Sequence, residues 1–418
     1  MDEHTSSAAT HAYKLPIPRW EFIALAAALM ALNALAIDIM LPALQQIGAS
    51  LGVEDENHRQ YVITAYIAGF GIAQLFFGPL SDRFGRRPPL LLGLGVYVAA
   101  ALGAAFAPSF ETLLILRFVQ GLGAAGTRVI TVSVVRDAFG GRAMAEVMSL
   151  VFMVFMVIPV VAPGIGQIVM LFSEWHMIFV VMALFALAFT AWAALRLPET
   201  LHPEYRRAFN LRTVAGGFRI VLTNRVSLCY TLATTSVFGA LFGFINSAQQ
   251  VYVGIYGLGV WFPVVFAAIA GMMAVSSFLN AQLVGRFGMR RLSHGALIGF
   301  IVVTTLWFVL SLYGELSIYV FVPIFALAML HFGWIGSNFN SIAMEPLGHL
   351  AGTASSVQGF MQTVGGGVIG ATIGQLFDGT TTPLAAGFCG VSLVALVFVL
   401  IGERGKLFQA HHQPMAPS

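Results

Sequence analysis

The sequence predicts an all-α integral membrane protein, with twelve transmembrane helices in two pseudo-symmetric six-helix bundles. Three observations predict it. Hydrophobic residues make up 58% of the chain and charged residues only 9%, where an average soluble domain carries about 25% charge. That is too little to cover a soluble surface, and mean hydropathy is +0.85. The apolar residues fall into runs of about 20, the length that crosses a hydrocarbon core. One short basic pattern then recurs at the equivalent place in each half.

With that length as a ruler, spans fall at 20–42, 58–78, 89–107, 112–134, 144–171, 176–196, 226–252, 259–283, 292–312, 316–336, 352–376 and 382–402. Pro and Gly recur inside them, as is common in membrane helices. Residues 1–19 are polar and lack the basic start of a signal peptide, so 20–42 reads as a retained first helix. The longest polar stretch, 197–225, separates six spans from six. The expected domains are a cytoplasmic N-terminal tail at 1–19, a bundle at 20–196, a cytoplasmic linker at 197–225, a second bundle at 226–402 and a cytoplasmic C-terminal tail at 403–418.

Charge sets the expected orientation. With the N-terminus in the cytoplasm, all of the 21 basic residues except Arg59, Arg117 and Arg128 fall in cytoplasmic segments. Such asymmetry predicts both termini inside, in the cell inner membrane. The net charge of +3 comes from these loop clusters, and no basic domain exists to bind nucleic acid. Cys229 and Cys389 lie in apolar runs without a CxxC pattern, so they read as packing residues rather than a disulfide or metal site. No phosphate-binding GxxxxGK[ST] pattern is present.

The halves echo each other. Residues 77–87 read FGPLSDRFGRR and residues 280–291 read NAQLVGRFGMRR. Arg83-Phe84-Gly85 aligns with Arg286-Phe287-Gly288, and Arg87 with Arg290, at one offset. Both copies lie between the second and third spans of their half, as parallel six-helix repeats require.

Gly78-Pro79-Leu80-Ser81-Asp82-Arg83-Phe84-Gly85-Arg86-Arg87 resembles the loop signature of the major facilitator superfamily, G-x-L-x-D-R-x-G-R-[RK]. Arg117 to Gly123 resembles its fourth-span signature R-x-x-Q-G-x-G. Pro159 to Gly166 is similar to the fifth-span antiporter signature, with Ala-Pro for Gly-Pro and Ile165-Gly166 for Gly-Gly. Ala36 to Ala43, Val135-Arg136-Asp137 and Asn340 to His349 resemble Bcr/CflA-type drug exporters. The resemblance implies proton-driven export of amphiphilic drugs or small metabolites. It also implies a cavity lined by spans one, four, seven and ten, and rocker-switch alternating access.

Asp38 is the sharpest candidate residue, the one acid well inside a predicted span. A charge there costs about 2.5–3.5 kcal/mol on insertion scales and calls for a reason. Glu21, Ala24, Ala27, Ala31, Ala34 and Asp38 form one helical stripe whose small residues mark protein contact rather than lipid. Asp38 is thus expected to carry the proton and recognise cations, or else to be an ion-paired structural acid. It lies roughly 6 Å from the outer end of its span, and Arg117 roughly 8 Å below the outer end of the fourth, at 1.5 Å per residue. Arg117 is therefore expected to face Asp38. Glu21 and Arg128 are expected either to form a second, inner pair or to leave Glu21 as a solvated helix-end acid.

Asp82, beside Gly78, Arg83, Gly85, Arg86, Arg87 and Arg136, reads as a conformational latch that bridges cations on the cytoplasmic side. Gly285 replaces Asp82 in the second copy, so the latch is expected on one side only. Pro159, Pro163, Gly164 and Gly166 are expected to form a hinge in the fifth span. Phe238, Phe242, Asn246 and Gln249 on one face of the seventh span, with His331 in the tenth, are the expected substrate cavity.

The expected function is proton-coupled antiport of hydrophobic, often cationic, small molecules, with H+ as coupling ion and no cofactor. A monomer is expected, with the bilayer and a small-molecule substrate as partners. Uptake by symport or uniport is the alternative; a membrane receptor or an intramembrane enzyme is more remote.

Overall fold

The computed structural model describes residues 16–139, 141–206 and 211–409. The tails 1–15 and 410–418, with Lys14 and Arg207, lie outside the described residues. Twelve helical spans follow in two sets of six. The first set is α1 (Arg19–Asp38), α2 (Tyr61–Phe84), α3 (Arg87–Ala105), α4 (Phe110–Ala138), α5 (Gly141–Phe172) and α6 (His176–Arg196). The second is α7 (Arg225–Gln249), α8 (Phe262–Phe287), α9 (Met289–Ser311), α10 (Ile318–Met344), α11 and α12 (Thr382–Gly402). The segments Ala351–Phe360 and Gly366–Gln375 make up α11, joined through a π-type turn at Met361–Gly365. No strand occurs among the described residues.

Each set packs as its own bundle: α2 and α3 on α4, α3 on α6 and α1 on α5, then α11 and α12 on α7, α8 and α9 on α10. The bundles meet along α5 with α8 and along α2 with α11. A crevice of about 410 Å³ opens between α2 and α11, bordered by Thr64, Ile67, Ala68, Thr363 and Gly367.

The repeat read from the sequence is a repeat of backbone geometry. Gly85 between α2 and α3 has φ 92°, and Gly288 between α8 and α9 has φ 80°. A side chain is strained in that left-handed region, so both junctions turn on glycine.

Two local features differ from expectation. The first span runs past Pro42, but not as one unbroken α-helix. Its helix stops at Asp38 and is followed by a 3-10 turn, Leu41–Ala43, and a short helix, Leu44–Ser50. Pro42 has no N–H to give to the Asp38 carbonyl, so the helix breaks there. The polar stretch after α6 also holds a helix, Leu211–Thr223. Its Phe218 meets Phe360 edge-on at 5.6 Å, and Val221 is buried with Leu347, Ala354 and Val357. The linker is therefore docked on α11.

Candidate functional site

Four clusters of polar groups stand out, and the tightest surrounds Arg117. Its guanidinium is fully buried. It donates to the carbonyls of Ala36 on α1 at 3.0 Å and Val62 on α2 at 3.1 Å, and to Gln120 Oε1 at 2.7 Å. The Tyr66 ring lies 4.5 Å from its central carbon. Gly121, one turn on, makes this possible: a Cβ there would strike the Tyr66 carbonyl of α2.

Asp38 lies at the level of this cluster but outside it. Its carboxyl is 3% exposed, and Oδ1 is buried with no hydrogen-bond partner. The expected ion pair between Asp38 and Arg117 is not formed; the guanidinium is taken up by the carbonyl two residues earlier. The reason is the helix break. Carbonyls in the last turn of α1 lack intrahelical donors, and a buried cation from α4 satisfies one of them. On the other side, α5 closes on the break, and a Cβ at Gly166 would strike the carbonyl of Ile39.

The second expected pair is also replaced. Glu21 is bound by Arg196 of α6 through Nε at 2.6 Å and Nη2 at 2.7 Å, with Trp192 Nε1 at 3.3 Å. Arg128 is half-buried and meets no carboxylate or other hydrogen-bond acceptor among the described residues. Depth along the spans was right for Glu21, but α6 lies closer than α4.

The third cluster sits at the end of the first bundle that carries the basic loop. Arg86 is 2% exposed. It bonds Asp137 at 2.7 Å, Asp82 at 2.6 Å and Ser81 Oγ at 2.9 Å. Burial works against its charge, yet the bonds and charges of Asp137 and Asp82 hold its pKa above the usual arginine value. The backbone N–H groups of Arg86 and Arg87 donate to Glu199 at 2.8 and 3.1 Å, and Thr200 Oγ1 donates to Asp137. Arg87 also reaches the Ala194 carbonyl. Asp82 therefore holds Arg86 alone. Arg83 lies over Phe84, and Arg136 is exposed without an ion pair among the described residues. A Cβ at Gly78 would lie 3.6 Å from Ser356 Oγ of α11, so the latch segment touches the other bundle there.

The second bundle carries a counterpart that sequence reasoning missed. Arg290 pairs with Glu345 at 2.8 Å and Glu403 at 2.8 Å. Tyr230 donates to Glu403 at 2.8 Å and meets His294 Nε2 at 2.7 Å. The latch residue Asp82 has no copy; Arg290, which aligns with Arg87, is instead held by acids at the ends of α10 and α12. The charge network is therefore two-sided. Repeating the interval between the two basic loops from Glu199 reaches the neighbourhood of Glu403, a signal present in the sequence.

A fourth cluster joins the bundles at the opposite end. Asn57 Nδ2 donates to the carbonyls of Gln375 and Phe377 at 3.1 and 2.9 Å, and Gln375 Nε2 donates back to the Asn57 carbonyl at 2.7 Å. Gln250 Nε2 donates to Asn57 Oδ1 at 2.7 Å, and Gln60 bonds both Gln250 and the Gly374 carbonyl. None of these residues was singled out from the sequence.

The remaining sequence candidates are placed as follows. Phe238 and Phe242 lie 6.3 Å apart, and their side chains pack against α11 at Gly366 and Gly370. Asn246 is 1% exposed with neither amide atom partnered, and Gln249 bonds Gln45 at 3.5 Å. Phe238 and Phe242 are half-buried, and Gln249 links the two bundles through Gln45. His331 bonds the Leu327 carbonyl and packs on Gly299 of α9, a bundle-internal site. Pro159 and Pro163 lie within an unbroken α5, and Gly164 has open space around it.

With this geometry in view, the chain matches the Major Facilitator Superfamily model over residues 23–371. The chain is a member of that superfamily. This facilitator-superfamily transporter is 32% identical over 374 residues to the bicyclomycin resistance protein homolog of Haemophilus influenzae, covering 88% of this chain and 93% of the relative. It is 29% identical to a chloramphenicol resistance protein of Pseudomonas aeruginosa, covering 92% of this chain and 91% of that one. The Bcr/CflA-type resemblance read from the motifs agrees with these relatives. Among solved structures, the human organic anion transporter MFSD10 shares the fold at TM-score 0.66 and 18% identity, covering 92% of this chain and all of that one.

Proposed function

We propose that this transporter exports hydrophobic drugs or small metabolites in exchange for protons, by alternating access. The observation that carries the reading is Asp38, a carboxyl sealed inside the bundle at 3% exposure with one oxygen unpartnered. A group in that position exchanges a proton when its surroundings open, because desolvation and nearby charge together set its ionisation. The capped Arg117 beside it ties the ends of α1, α2 and α4, so movement there alters both influences. Asp38 serves the proton alone in this reading, since it is closed to cargo in this conformation.

The printed names of the relatives, bicyclomycin and chloramphenicol resistance proteins, support drug-like cargo. Placing the Arg-rich end in the cytoplasm, as its charge favours, puts the amide cluster at the outer end, where it closes the path. In the same reading Arg86 and its acids brace the cytoplasmic end, α5 bends at Pro159 and Pro163, and the protein works as a monomer in the inner membrane.

The test is transport in proteoliposomes loaded with chloramphenicol or bicyclomycin. An imposed proton gradient drives the drug against its own gradient in wild type and not in Asp38→Asn. Movement that ignores the gradient in both proteins removes proton coupling.

A further inference from the structure

Arg128 is a cation within a membrane span that has no partner among the described residues. Glu21, the acid that could have answered it, is bound by two of the guanidinium nitrogens of Arg196, Nε and Nη2. The remaining acids on the helices of the first bundle are engaged or distant: Asp82 and Asp137 hold Arg86, Glu146 pairs with Arg19, and Asp38 and Glu111 lie toward the opposite end of the bundle. No ion pair or hydrogen bond to Arg128 exists among the described residues, and its nitrogens are not sealed from solvent.

Its direction is fixed by its neighbours. Thr127 accepts from Asn33 of α1 at 2.8 Å. Val129 lies at van der Waals distance from the position a Gly78 Cβ would take on α2. Arg128 emerges between those two helices. Gly123, which packs on Gly93 of α3, is five residues away and so points about 140° elsewhere at 100° per residue. Arg128 thus faces away from α3, toward the side where the second bundle stands. On α10 of that bundle Ser337 and Ser341 are exposed one turn apart, and Asn340 is half-buried, accepting from Gln362 at 2.6 Å. Two exposed serines within an apolar span mark water rather than lipid.

We infer that Arg128 is an anchor for an oxyanion, so that amphiphiles bearing a carboxylate, sulfonate or phosphate are cargo alongside uncharged drugs. A guanidinium without an internal counter-ion in low dielectric binds such a group through charge-assisted, bidentate bonds. Glu21 and Asp38 are both removed from competition. This deepens the proposed export reading, and its test is binding rather than transport, so that loss of proton coupling leaves it standing.

The experiment is equilibrium binding to the purified full chain in uncharged detergent, read by fluorescence anisotropy. The probes are anionic sulforhodamine B and its cationic relative rhodamine 6G. Wild type is expected to prefer sulforhodamine B. Arg128→Lys is expected to stay within about threefold, and Arg128→Gln to weaken sulforhodamine B at least about tenfold while leaving rhodamine 6G unchanged. Several outcomes overturn the assignment: no binding of the anionic dye by wild type, equal binding by Arg128→Gln, or equal loss of both dyes. Displacement by phosphatidylglycerol alone, with free dye anions without effect, assigns the site to a lipid headgroup and likewise overturns it.

Discussion

Arg117 on α4 holds the carbonyl oxygen of Ala36 on α1 at 3.0 Å, two residues short of Asp38. A cation from a neighbouring helix thus caps the carboxyl end of α1, where unpaired carbonyls gather partial negative charge. The same break that frees the Ala36 carbonyl leaves Asp38 at the end of its helix. Arg117→Ala is expected to strand buried acceptors at about 1–3 kcal/mol each and to lower the unfolding temperature in detergent. Arg117→Lys, with one compact ammonium for three acceptors, is expected to recover less than half of that loss.

Asp38→Asn is expected to act in the opposite sense on stability. It removes a carboxyl that has no partner on Oδ1, so the unfolding temperature stays level or rises, by up to about 2 kcal/mol of stability. Gradient-driven transport is lost at the same time. A variant that is both less stable and inactive would point to a structural acid.

Gly166 and Gly164 separate packing from composition. Alanine at 166 meets the Ile39 carbonyl, while alanine at 164 meets nothing within 4 Å. Gly166→Ala is expected to cost about 1–3 kcal/mol and to slow transport. Gly164→Ala is expected to change stability by less than about 0.5 kcal/mol. Thermal unfolding of the pair checks both.

The two charge networks predict a ranking. Glu199→Ala leaves the N–H groups of Arg86 and Arg87 without their acceptor, and Glu403→Ala leaves Arg290 and Tyr230 short of theirs. Each is expected to cost about 1–3 kcal/mol. Glu345→Ala is expected to cost less than about 1 kcal/mol, because that carboxyl is 38% exposed.

Asn57→Asp removes the donors to the Gln375 and Phe377 carbonyls and sets a carboxylate against them. The joined end is expected to loosen. Electron-spin distances between labels at Glu56 and Thr380 are expected to broaden and lengthen relative to wild type.

The architecture was legible because bilayer length and composition dictate it. Apolar runs and the Arg83-to-Gly85 echo read out helix number and the repeat. Partner choice was not legible, because it depends on which helices touch. Glu21 finds Arg196 across 175 residues, and Arg290 finds Glu403 across 113. Depth matching put Asp38 and Arg117 at one level correctly, but it could not foresee that Pro42 would end the helix and offer a carbonyl in place of the carboxyl. The amide cluster was invisible for a simpler reason: Asn57, Gln60, Gln250 and Gln375 carry no periodic or charge signal.

That amide cluster has a bearing on energy supply. Every bond it makes from one bundle to the other is made by a neutral side chain or the main chain, so acid and dissolved salt do not act on those bonds themselves. Whatever unfastens this end must act mechanically, through rotation of one bundle against the other.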